Sequence, residues 1–122
     1  MPSKEEHINQ AEHNRKFWNS YDLDSTPFLD WVVTGIFYEG IHWVEAFLAT
    51  LGHNSATHQQ QLRAVSQPSA APVAPISADL VALKYESENA RYGCYKHSAD
   101  DVRNDLIPTI NKIRDHVHSI LP

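Results

Sequence analysis

Residues 90–97, Ala-Arg-Tyr-Gly-Cys-Tyr-Lys-His, place Arg91 and His97 six positions apart beside two tyrosines and a lysine. Such a pair could cut RNA. A guanidinium keeps its charge at every accessible pH and offers a planar fork to a phosphate whose charge grows in the transition state. An imidazole titrates near neutrality, so it can take a proton from a 2′-hydroxyl and return one to the leaving oxygen. Tyr92 and Tyr95 could stack on bases, and Lys96 adds a cation beside them. On an unbroken α-helix, residues six apart point about 120° away from each other, so the helix must stop between them. Gly93 is the predicted left-handed stop, and Ser98 the predicted N-cap of the next helix. A plainer reading competes with this one. An arginine in a last helical turn is favoured by free carbonyls and by the helix dipole, and the spacing arises easily by chance in a chain with eight histidines.

The remaining histidines raise the question of metal. Glu39 and His42 have the i, i+3 spacing of di-iron bundles, but that site needs a second such motif and two further glutamates, and no second Glu-x-x-His occurs. His42 therefore reads as a core histidine hydrogen-bonded within the bundle or across a dimer, and as a candidate binding residue. His53 and His58 could join it around zinc with one open position, yet no spacing compels it, so neither metal nor cofactor is expected. His116 and His118 read as solvent-facing. There is no glycine-rich phosphate loop, Gly-x-Ser-x-Gly or Cys-x-x-Cys. A single cysteine, Cys94, excludes an internal disulfide and is expected to be a small, semi-buried apolar residue.

The elements that would position these groups are all helical. Ser3 and Glu6 form a predicted capping box for a helix to about Asn19. Ser25 or Thr26 should cap the second helix, with Pro27 in its first turn. From Phe28 to Leu51 this helix is apolar nearly all round, which makes it the central, buried one, and Gly52 ends it. Residues 53–66 give a short third helix. Residues 67–76, with Pro68, Pro72 and Pro75, read as a flexible or extended connector. The fourth helix opens at Ser77 with Leu80, Leu83, Ser87, Ala90 and Arg91 along one side. The fifth opens at Ser98 with the stripe Val102, Leu106, Ile110, Ile113, Val117 and Ile120, and Pro108 should kink it. Short loops between long amphipathic helices imply an antiparallel bundle of four to five helices. So long a buried helix in so short a chain implies a homodimer around it.

The order "DWVVTGIFYEGIHWVEAFLA", then "SATHQQQLR", then "YESENARY" resembles the HEPN superfamily, over about residues 5–118. The resemblance implies a helical bundle that dimerises, a place in toxin–antitoxin or phage-defence systems, and often a nucleotidyltransferase-type partner. Many members are metal-independent ribonucleases with an arginine, four to six residues, then a histidine. Arg91 and His97 match that spacing, although active members usually carry a polar residue where this chain has Tyr92. The expected function is thus interaction with RNA or a nucleotide, with Arg91 and His97 as a ribonuclease pair. The alternative is a non-catalytic module that binds a protein partner.

Composition sets the outer bounds. The chain of 122 residues, 42% hydrophobic and 20% charged, is read as one globular domain. A net charge of −5 argues against a broad footprint on nucleic acid but leaves room for a local site. The polar N-terminus and the lack of a long apolar run suggest a cytoplasmic protein away from membranes.

Overall fold

A computed structural model describes all residues, Met1–Pro122, and every regular element in it is helical. Helix α1 spans Lys4–Asn19, and its capping box is present: the Glu6 N–H donates to Ser3 Oγ at 3.1 Å while the Ser3 N–H donates to Glu6 Oε1 at 3.1 Å. Helix α2 spans Leu29–Thr50. It starts later than expected, because Thr26 Oγ1 accepts from the Phe28 N–H and closes a turn ahead of the helix. Val32, Val33, Ile36, Phe37, Trp43, Val44, Phe47 and Leu48 of α2 are all buried, each worth about 1.5–3 kcal/mol of transfer for the larger side chains. Gly52, at φ 80°, ends the helix.

Helices α1 and α2 run antiparallel. His7 meets His42, Arg15 meets Glu39, and Phe17 and Trp18 lie over Gly35. A Cβ at Gly35 would stand 3.1 Å from Phe17 Cδ2, so glycine permits this close approach. Helix α3, His58–Val65, is capped by Thr57 and lies across α2, where Gln61 Nε2 donates to the Ile41 carbonyl at 3.1 Å. Residues 53–57, expected to be helical, form the loop before it.

The segment read as a flexible connector is a 3₁₀ helix, Pro68–Ile76. Its buried residues are Ala70, Val73 and Ile76. That period of three suits a helix with three residues per turn, and the prolines hold φ near its value.

Helix α4, Ser77–Arg91, buries Leu80, Leu83, Ser87 and Ala90, the face expected from their spacing. The last helix, α5, is capped by a Ser98–Asp101 box. It runs as Ala99–Asp101, a π-helical stretch Val102–Leu106, and Ile107–Ile120. Pro108 has no N–H for an α-type bond and its ring crowds the turn before it. The strain expected as a kink is taken up by one wider turn, in which the Ile107 N–H reaches the Val102 carbonyl. Val102, Leu106, Ile110, Ile113 and Val117 are buried against α2 and α4. No helix is long and apolar enough to cross a membrane.

Candidate functional site

Arg91 closes the last turn of α4 and is half-buried. Its Nε–H donates to the Ser87 carbonyl at 3.2 Å, Nη2 donates to Ser87 Oγ at 3.2 Å, and Nη1 donates to the Tyr38 hydroxyl at 3.1 Å. A guanidinium has five N–H donors. Three are spent here, which leaves one free on each terminal nitrogen. The charged carbon also sits 5.6 Å from the Tyr38 ring centroid and 5.1 Å from that of Tyr92, whose side chain stands in solvent. None of these partners is a carboxylate; the nearest acid on this helix face, Glu88, feels the Arg91 charge but makes no hydrogen bond to it.

Local spacing builds the rest of this patch. Lys84, Ser87, Glu88 and Arg91 share one face of α4 by their i, i+3, i+4 and i+7 spacing. Lys84 Nζ pairs with Glu88 Oε1 at 2.8 Å. Glu88 is held below the ordinary carboxylate range, first by its hydrogen bond from Lys84 and then by the charge of that lysine. His58, from the start of α3, packs its ring 6.0 Å from that of Tyr38. Burial, then the charges of Lys84 and Arg91, lower its pKa below the usual histidine value. Burial and these charges favour the neutral imidazole, and the Glu88 charge opposes them.

His97 belongs to a different microenvironment. Its ring is 2% exposed, Nε2 lies 2.6 Å from Glu86 Oε2, and Tyr95 meets it edge-on at 4.7 Å. Nδ1 is buried without a partner. Arg91 and His97 share no hydrogen-bond partner: one is held by Ser87 and Tyr38, the other by Glu86. Between them the left-handed residue is Cys94, φ 54°, rather than Gly93. Cys94 is exposed, not semi-buried, because it forms the tip of that turn. Tyr95 and Lys96 line a cavity of about 310 Å³ with Phe28, Asp30, Trp31 and His97.

His42 is hydrogen-bonded within the bundle, its Nδ1 3.0 Å from Nδ1 of His7. Burial, then the charge of His7, push its pKa down to about 4. No three of the histidine, cysteine, aspartate and glutamate side chains converge as metal ligands, and His42, His53 and His58 do not form the zinc site weighed above. Of the two expected solvent-facing histidines, His116 reaches the Pro72 carbonyl at 2.7 Å and His118 lies 4.8 Å from Trp43, centroid to centroid.

The acidic groups of α2 are structural. Glu39, fully buried, accepts from Trp18 Nε1 at 2.7 Å, Trp43 Nε1 at 2.8 Å and Arg15 Nε at 3.0 Å. Glu45 accepts from the Ser55 N–H at 3.0 Å and from Gln61 Nε2 at 2.8 Å, fixing the loop before α3. Arg15 is thereby committed to Glu39, and Arg103 to Asp24 and Asp100, so neither cation joins Arg91 within one chain. Tyr38, His58 and Ser87 were not foreseen as partners of Arg91, although Ser87 stands one helical turn before it in the sequence. Set against known proteins, the chain matches no family model, and neither a curated protein nor a solved structure shows significant similarity to it.

Proposed function

We propose that this chain is a HEPN-like helical domain that works as a homodimer and holds RNA or a nucleotide by its phosphate at Arg91. One observation carries the reading: the Arg91 guanidinium is fixed by three neutral acceptors, has no carboxylate partner, and keeps one N–H free on each terminal nitrogen. Those two N–H groups fit two phosphate oxygens. Tyr92 beside it offers a ring for a base, while Lys84 is already paired with Glu88. Catalysis of the metal-independent, toxin-type kind would need His97 as proton carrier. Its burial and its short bond to Glu86 favour a positioning role at the α4–α5 junction instead. A second reading, a module that binds a protein partner such as a nucleotidyltransferase-type antitoxin, draws support from the exposed rings of Phe28, Trp31 and Tyr95 around one cavity.

The test is fluorescence anisotropy of a labelled single-stranded RNA in chelator, with the wild type beside Arg91→Gln. Loss of two charge-assisted hydrogen bonds should weaken binding at least about tenfold. Equal affinity in a variant with unchanged melting would sink the reading. Cleavage products in chelator that vanish in His97→Ala would instead make the pair catalytic.

A further inference from the structure

We propose that His58 is the second arm of the Arg91 site and makes it select a phosphate monoester, at the end of an RNA or on a nucleotide, over the diester inside a chain. The inference rests on the reading that Arg91 holds phosphate and adds the substrate class. Three helices meet at Tyr38. Its hydroxyl accepts from Arg91 Nη1 at 3.1 Å, and the Arg91 guanidinium carbon lies 5.6 Å from its ring centroid. The His58 ring lies 6.0 Å from the same centroid, and Phe37 meets that imidazole edge-on at 5.3 Å. Tyr38 thus brings the first residue of α3 beside the last residue of α4. Aromatic contacts alone hold the His58 ring, which makes no hydrogen bond within the chain. His97 Nδ1 is the one side-chain nitrogen or oxygen both sealed from solvent and unpartnered, so the two His58 nitrogens are open to an incoming oxygen.

Charge decides what these nitrogens receive. From α4, Lys84, Glu88 and Arg91 bear on His58, and from α2, Glu45 lines a cavity of about 380 Å³ with it. Lys84 and Glu88 pair at 2.8 Å and offset each other. Glu45 accepts from the Ser55 N–H and from Gln61 Nε2. Arg91 makes no bond to a carboxylate, and its single positive charge matches the single negative charge of a diester. A monoester carries about −1.5 to −2 at pH 7. The extra charge calls for a second cation, and a protonated His58 is one. In the free chain, burial and then the charges of Lys84 and Arg91 hold the His58 pKa below the usual histidine value, with Glu88 opposing them. An anion seated on Arg91 offsets those two cations and draws a proton onto the ring. Binding and protonation therefore favour each other, and they do so more strongly for the more highly charged monoester.

Adenosine 5′-monophosphate and its 5′-methyl ester are the probes, because they differ by a methyl group and a charge. In calorimetric titration of the full chain, the monophosphate should bind about tenfold more tightly than the ester. His58→Gln should abolish that preference while leaving affinity for the ester within about twofold. A wild-type measurement guards against a variant that folds poorly. The NMR titration midpoint of the His58 ring should rise by about one unit in saturating monophosphate. A 5′-phosphorylated oligoribonucleotide run beside the monophosphate separates the two sources: tighter binding of the oligomer identifies a chain end, and equal or weaker binding identifies a free nucleotide. The proposal is overturned if the wild type binds both adenosine probes alike, if His58→Gln keeps the preference, or if the His58 midpoint does not move. Each of those results leaves phosphate binding at Arg91 standing. Failure of the wild type to bind either adenosine probe overturns both readings.

Discussion

Acid should loosen the α1–α2 contact through His7 and His42. Their Nδ1 atoms are 3.0 Å apart, which requires one ring to donate and the other to accept, so at least one ring must be neutral. The folded chain holds the His42 pKa down to about 4 from 6.5, chiefly by burial, and lowers that of His7 for the same reason. The unfolded chain binds protons with ordinary histidine affinity. Between these values the unfolded state carries more protons, so stability falls as pH drops below about 6.5 and levels off near 4. At pH 5 the linkage integral for His42 alone is about 2 kcal/mol, and the partial exposure of the ring reduces it to about 1–2 kcal/mol. Glu6 and Glu45, whose charges favour protonated His7, act in the opposite direction. The assay is urea unfolding at pH 7.5 and pH 5, with His42→Gln beside the wild type to subtract the carboxylate contributions. The wild type should lose about 1–2 kcal/mol more than the variant. Equal losses would refute the reasoning, as would a His42 ring that titrates near 6.5 by NMR.

Three further expectations concern the frame. Arg15→Met should cost about 3 kcal/mol in urea unfolding, since it strips the buried Glu39 carboxylate of its cation, and adding Glu39→Gln should recover part of that loss. A cost under about 1 kcal/mol would mean that the two indole donors suffice. Cys94→Gly should stabilise the fold by about 1 kcal/mol, seen as a higher melting temperature, because a left-handed φ of 54° strains any residue with a Cβ. Ser98→Ala removes one half of the α5 capping box and should cost about 1 kcal/mol, read in the same melts.

The helical frame was legible because burial leaves a period. The stripe of α5 and the buried face of α4 follow from spacing alone, and the Ser3–Glu6 capping box and the Ser98 N-cap were legible, whereas the return bond from Asp101 that completes a second box was not read. The 3₁₀ helix was not legible: Ala70, Val73 and Ile76 have its period, but proline there equally suits an extended chain until a neighbouring surface covers those residues. Cys94 took the left-handed position because the turn placed it one residue past the glycine expected there. At the candidate site, sequence could place Arg91 and His97 near a helix junction but not decide which way each side chain turned. That choice depended on Tyr38, which is distant in sequence and held by α2, and on Glu86, five residues before Arg91 and on another face of α4.

Whether the oriented Arg91 guanidinium takes up a phosphate is tested most directly by titrating the ¹⁵N-labelled protein with adenosine monophosphate. The Arg91 side-chain Nε–H is already held by the Ser87 carbonyl and should be resolved. It should shift on saturation together with Tyr92 and Lys84, while resonances around Glu86 and Asp105 stay still. Shifts confined to the α4–α5 junction, or none at Arg91 at saturating nucleotide, would contradict the account.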